Sequence, residues 1–260
     1  TDKTAEIASE YPIHIIHNEQ NLGMTPTINL GMRESHGEII ITLFADCELD
    51  SPLWVEDIVK VFEDETAGIV VGRMVYPEEE MKKINLTTSI FMLLRSGMLP
   101  KVKGDLQLLP FAPGDCTAFR RSVLNKIGFL DDSFIFSGED HDVSYRVRKF
   151  GYKVVRNNNA VVLNHFGSHE DSLIKNLKKE WRYARAASKL FNKYGKYLLD
   201  YLQEERKRVY LRMIQVLIFP LLLLGIFSIL LNFLLALILI LATIGVRIIS
   251  LIPVFLEGYS

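Results

Sequence analysis

The spacing of apolar and polar positions changes several times along the chain, and each change marks an element. Thr4 to Ser9 reads as the tail of a helix, and Pro12 to His17 as a short apolar strand. Asn21-Leu22-Gly23 makes a turn, after which Met24 to His36 reads as a helix beginning near Pro26. Ile39 to Phe44 is rich in β-branched residues and apolar on both faces, the pattern of a central strand covered on each side. Pro52 opens another helix through Phe62, and Gly68 to Val75 is again a strand. Strands alternating with helices predict crossover units, hence an α/β domain with a mostly parallel central sheet flanked by helices.

From Tyr76 to Pro110 the pattern loosens. Glu78, Glu79 and Glu80 precede a Met/Leu/Phe-rich segment, which reads either as a helical excursion beside a site or as a surface insertion. Pro113 to Arg121 is a turn and a strand, followed by a short helix to Ile127 and a loop from Gly128 to Asp132. Glu139 to Gly151 has apolar Val143, Val147 and Phe150 at helical spacing. Acids crowd its first turn and bases its last, as the helix macrodipole favours, and Gly151 stops it. Lys153 to Arg156 and Ala160 to Asn164 are expected as two short strands.

The alternation then gives way to a different kind of chain. Lys175 to Arg212 carries twelve basic residues against four acidic ones, with aromatic residues interleaved. From Met213 to Val246 no residue is charged, and after Arg247 the chain stays apolar to Leu256. About 20 residues span a bilayer core as a helix, so the tract is long enough for two spans turning near Asn232. The expected division is a folded domain over 1–170, basic and aromatic membrane-surface helices over 171–212, and a transmembrane hairpin over 213–256. Arg206, Lys207, Arg208 and Arg212 put the folded domain on the cytoplasmic side of a multi-pass cell-membrane protein.

Composition changes this picture little. A formal net charge of -1 over 260 residues argues against nucleic acid as a partner. Cys47 and Cys116 make no disulfide framework and are read as structural thiols. The chain opens on Thr-Asp-Lys-Thr without an initiator Met, so residues upstream are expected.

Two acidic motifs carry the candidate chemistry. Asp46 and Glu48 lie two residues apart after an apolar strand, a spacing that puts both on one face of extended chain. Ligands of open α/β sheets bind at strand carboxyl ends. Two carboxylates there suit a hard cation such as Mg2+ or Mn2+, and so a diphosphate, or else form a solvated turn. Glu139, Asp140 and Asp142 are either the first turn of a capped surface helix or a general base aimed into a cleft. An ion pair of Arg146 with Asp142 at i, i+4 is the plain reading of that pair.

Asn21-Leu-Gly23, Asn29-Leu-Gly31, Gly37-Glu38, Ala45-Asp46, Gly114, Arg120-Arg121, Ile127-Gly128, Glu139-Asp140, Arg146 and Gly151-Tyr-Lys153 occur in that order. The ordered set resembles family 2 glycosyltransferases, inverting enzymes of the GT-A fold, over residues 1 to about 170. The resemblance implies transfer of a sugar from a nucleotide-sugar donor to a lipid-linked or cell-surface glycan acceptor. Asp140 is then the expected base, with Glu139 beside it in the catalytic pair. Asn21, Gly23, Asn29, Asp46, Gly114 and Asp115 are expected around the donor. Asp46, with Glu48 and His165, is expected to hold Mg2+ or Mn2+. Phe44 stands where the family's D-x-D motif has its first acid. That departure leaves open a degenerate relative that binds a nucleotide-sugar at the membrane without turnover. Another nucleotide-using transferase on a similar sheet is the further alternative.

Overall fold

The computed structural model describes residues 3–82, 84–85, 88–89, 102, 104–165, 172–195 and 233–256, with side chains given for all but 233–237 and 250–256. It divides into two compact units, 1–89 with 101–196 and 90–100 with 197–260.

The first unit is built on a six-stranded sheet. Its strands are β1 (Ile39–Leu43), β2 (Cys47–Leu49), β3 (Ala67–Val75), β4 (Leu106–Leu108), β5 (Cys116–Arg120) and β6 (Lys153–Asn164). They run in the order β1-β5-β3-β6-β2, with β4 also on β6. The sheet is mixed rather than mostly parallel: β3 and β6 are its parallel pair, and the other four pairings are antiparallel. The expectation of crossover units joining neighbours fails because β5, running the other way, inserts between β1 and β3. Consequently β1 lies at the end of the strand order, half covered, with Leu43 exposed, and is not the central strand its composition suggested. The segment expected as a strand over Pro12 to His17 is irregular, with Ile13 and Ile16 exposed. It has a strand's pattern but no pairing partner among the described residues, and pairing, not pattern, makes a strand.

The helices of this unit with described bounds are α1 (Thr4–Ala8), α2 (Met24–Glu34), α3 (Trp54–Val61), α4 (Glu78–Met81), α5 (Arg121–Ile127), α6 (Glu139–Lys149) and α7 (Leu173–Tyr194). Period-two alternation along β3 divides the core between the two sheet faces. Ile69 and Val71 join Met32, Val123, Leu124, Val143 and Val147 of α2, α5 and α6. Val70 joins Trp54, Ile58 and Phe62 of the α3 side. Each such aliphatic side chain removed from water contributes about 1.5–3 kcal/mol. Arg120 and Arg121 tie helix ends to the sheet: Arg120 donates to the carbonyls of Phe62, Asp64 and Ala67, and Arg121 to those of Met32 and Gly37. The two short strands expected near the end of the domain are one long strand, β6. Its register against β3 slips between Gly72–Asn157 and Arg73–Val161, where the asparagine run bulges out.

In the second unit the described element is α8 (Phe233–Leu256), 24 residues long. Among the described residues no helix is long and apolar enough to cross a membrane. Residues 197–232, with the first arm of the expected hairpin and the basic residues before it, lie outside the described residues.

Candidate active site

Candidate residues from four separate parts of the chain meet at one end of the sheet. β1, β3 and β6 all end there, and β5 and β2 begin there. After β1 the chain crosses this end: the Phe44 N–H donates to the Asp115 carbonyl (3.0 Å), and the Asp46 carbonyl accepts from the His165 N–H (2.7 Å). Ala45 and Asp46 form a turn, closed by the Cys47 N–H on the Phe44 carbonyl, and Glu48 follows in β2. Asp46 and Glu48 therefore do not share a face of one extended strand, as their spacing suggested. They are neighbours across a turn, and both are exposed.

His165, at the end of β6, is held from both sides. Its Nδ1 lies 2.7 Å from Glu80 Oε1 and its Nε2 3.0 Å from Glu48 Oε2. Both partners are carboxylates, a setting that favours the doubly protonated ring. The hydrogen bonds to Glu80 and then Glu48 raise its pKa above the usual value. His165 thus stands beside Glu48 at the end of β6, with both ring nitrogens engaged by carboxylates. Among the described residues no three His, Cys, Asp or Glu side chains form a group able to hold a metal ion. Asp46 and Glu48 nevertheless are the oxygen donors a hard cation takes. Mg2+ is often bound by only one or two carboxylates, with substrate phosphates completing its shell.

Beside this turn is a small, partly open cleft of about 20 Å³, lined by Thr42, Gly114, Thr117, Glu139 and Asp140 and backed by apolar Ile28, Phe119, Leu130 and Val143. Gly138 gives α6 its entry, with φ +94 and a Cβ position only 2.9 Å from the Phe134 ring and 3.0 Å from Ala186. A side chain there would be both strained and blocked. Immediately after it, Glu139 is buried, and its Oε2 has no hydrogen-bond partner among the described residues. Burial first, then the charges of Asp140 and Asp115, push its carboxyl up to about 8. Asp140 is half buried, and its Oδ1 accepts the His141 N–H at 2.8 Å. The His141 ring stacks on Phe111 at 4.0 Å. Gly114 is the floor between the two acids: a Cβ there would lie 3.3 Å from Glu139 Oε1 and 3.6 Å from Asp140 Cβ. Asp115, next to it, accepts from Asn164 Nδ2 at 3.3 Å.

Asp142 has the opposite surroundings. It is fully buried and accepts from Arg146 Nε (2.8 Å), Lys193 Nζ and the Tyr194 hydroxyl. Arg146 also donates to the carbonyls of Ile127, Gly128 and Phe129, and the ion-pair reading of Arg146 holds. Lys193 also pairs with Asp131 at 2.8 Å. Although burial works against its charge, these carboxylates hold Lys193 above its usual pKa. Neither Lys193 nor Tyr194 was singled out from the sequence, because nothing local links them to α6 some fifty residues earlier.

The glycine-turn residues divide. Asn21 Oδ1 accepts the Gly23 N–H at 2.9 Å, and Gly23 starts α2 at φ +89 with a Cβ position 2.4 Å from Ile135. Asn29, expected around a donor, is fully buried: its amide donates to the Leu130 carbonyl (2.8 Å) and Asp132, and its oxygen accepts the Leu130 N–H (3.1 Å). It fastens α2 to the loop before α6 and has no donor left for a ligand. Cys47 and Cys116 are free thiols pushed up to about 12, chiefly by burial, and are inert as nucleophiles.

A family model described as glycosyl transferase family 2 matches residues 1–128. The probable glycosyltransferase YdaM of Bacillus subtilis is 27% identical over 168 residues, covering 59% of this chain and 38% of YdaM. The low-salt glycan biosynthesis hexosyltransferase Agl10 of Haloferax volcanii is 28% identical over 147 residues, covering 53% of this chain and 47% of Agl10. The chain thus spans less than half the length of either relative. Among solved structures, mannosyltransferase PcManGT from Pyrobaculum calidifontis, in complex with GDP-Man and Mn2+, aligns with a TM-score of 0.48 at 17% identity. That alignment covers 70% of this chain and 52% of PcManGT, and adds nothing to the sequence match.

Proposed function

We propose, from a chain that belongs to glycosyl transferase family 2 through its residues 1–128, that the cleft transfers a sugar from a nucleotide-sugar to an acceptor hydroxyl with inversion. The observation that carries this reading is the pair of acids at the start of α6, open to one cleft and floored by a glycine. A hydroxyl is a poor nucleophile at neutral pH, and a carboxylate that takes its proton as the new bond forms is worth about 10²–10⁴ in rate. Asp140 is that base, held by the His141 N–H. Glu139, kept uncharged near neutrality by burial, spares the cleft a second negative charge and orders its floor. Attack from the face opposite the diphosphate needs no covalent nucleophile.

Asp46 and Glu48 are the residues that would hold Mg2+ or Mn2+, which when bound neutralises charge on a leaving diphosphate. Asn21 and Gly23 lie in the loop that would approach the donor, and Asp115 would border it. The acceptor is a lipid-linked or cell-surface glycan, and the protein is anchored through 213–256 with the cleft facing the cytoplasm. Supporting the anchor are the uncharged tract and the outward-facing Ile238, Leu241, Ile244 and Ile248 of α8, a surface unsuited to water.

The test is a panel of nucleotide-sugars offered to the full chain with Mg2+, Mn2+ or chelator. Metal-dependent donor consumption is expected, lost in Asp46→Ala and reduced in Glu48→Ala. A panel in which no donor is consumed refutes the reading. One specific observation favours a second reading, binding without turnover: Phe44 replaces an acid and His165 is already engaged by Glu48 and Glu80. It predicts donor binding with no consumption in the same panel.

A further inference from the structure

We infer that the outer face of α7 is a docking surface for an anionic lipid bilayer. The inference rests on the membrane reading above but concerns a different surface, in the first unit. α7 is a two-sided helix. Its inner side is fixed to the first unit by Asn176 and Leu190, both buried, and by the Lys193 and Tyr194 contacts with Asp142. The opposite side is a stripe at helical spacing, Leu173, Ile174, Leu177, Trp181 and Phe191, all exposed; Trp181 is 69% and Ile174 65% accessible. A helix normally turns such a stripe toward its own core. Here the core side is already occupied by the other face, so the stripe needs a separate partner.

Charge identifies that partner. α7 carries seven basic residues and a single acid, Glu180. Lys178, Arg182 and Arg185 line one flank of the stripe, with Glu180 away on the other side. Apolar residues with a tryptophan, flanked by lysine and arginine, are the composition of a helix that lies in a bilayer interface and favours anionic lipid. The uncharged Met213–Val246 tract follows in the same chain, so a bilayer is the partner always at hand.

The inner contacts give this docking a consequence for the cleft. α7 also clasps the loop before α6: Lys189 donates to the Ser133 carbonyl, and Arg182 lies over the Phe136 ring at 5.3 Å. That loop in turn holds the start of α2, where the Met24 N–H donates to the Ile135 carbonyl at 3.1 Å. A bilayer against the outer face therefore bears on the helix that braces both sides of the cleft mouth.

The chain has two tryptophans, and Trp54 is sealed in the core, so Trp181 can be read alone as the difference between the parent and W181F. The full chain is reconstituted in phosphatidylcholine vesicles with and without phosphatidylglycerol, each with plain or brominated acyl chains. Trp181 emission is expected to be quenched by the brominated lipid, more strongly when phosphatidylglycerol is present. K178E/R185E should lose that extra quenching. Equal Trp181 emission in plain and brominated vesicles, with the protein still sedimenting with them, overturns the inference while leaving the anchor reading intact. It would mean that water or a second copy of the chain covers this face. Quenching that does not depend on phosphatidylglycerol overturns the anionic partner.

Discussion

Two carboxylates in the first turn of α6, Glu139 and Asp142, are both withdrawn from water and have opposite chemistry. Asp142 is surrounded by donors from α6 and α7. Glu139 is left with a buried oxygen that nothing among the described residues satisfies. Buried polar groups are ordinarily paired, because an unpaired one costs about 1–3 kcal/mol. A carboxylate fully provided for is scaffold. One left short at the edge of a cleft marks a place arranged for something else. Trp54 Nε1, deep in the core, is also buried without a partner among the described residues. What separates the two is the cleft, which Glu139 lines and Trp54 does not.

The comparison is broken most severely at Asp142. Asp142→Ala strands the charges of Arg146 and Lys193 and should cost about 3–5 kcal/mol, read as a large fall in Tm. If its Tm matches the parent's, the network is not scaffold. Asp140→Asn should leave Tm nearly unchanged while turnover falls by about 10²–10⁴ with donor binding retained. Parental turnover in that variant would move the base to another acid.

Glu139→Gln sharpens the contrast through pH. The folded carboxyl titrates near 8 and the unfolded one in the ordinary glutamate range. The folded protein therefore holds a proton that the unfolded chain has released, so the Glu139 contribution to stability is full below the unfolded pKa and drains away as pH rises toward 8. In Glu139→Gln this decline should disappear, giving a Tm equal to or above the parent's at pH 8. An unaltered pH slope would mean Glu139 is ionised as usual. The smallest expected effect is at Gly114→Ala, whose Cβ would stand 3.3 Å from Glu139 Oε1. Tm should hold while the KM of donor or acceptor rises, and unchanged kinetics would show that the floor between the acids need not be bare.

Much of the fold was legible in local pattern. The helices α2, α3, α5 and α6 and the strands β3 and β5 stand within a few residues of where periodicity put them. Pattern failed where a strand's identity depends on its neighbour. Ile39 to Phe44 looked central but lies at the end of the strand order, and Pro12 to His17 has no partner strand among the described residues. Of the residues singled out in the sequence, Asp46, Glu48, Gly114, Asp115, Glu139, Asp140 and His165 lie at one end of the sheet or on the cleft beside it. The motifs did not reveal that Asn29 is consumed by loop 130–132 or that Glu80 reaches across to His165.

The sequence by itself determined that a helix lies over α6 and that acids fill its first turn, because helical period, dipole-matched charge and the stopping Gly151 act within a few residues of one another. Only the tertiary structure decided which acid is scaffold and which faces the cleft. Glu139 and Asp142 are three residues apart, and the local pattern offers only Asp142 a partner, Arg146 at i, i+4. What distinguishes them is the arrival of Lys193 and Tyr194 at one and of Gly114 at the other. Those partners come from distant parts of the chain, and the protonation of a buried carboxyl depends on what the fold brings against it.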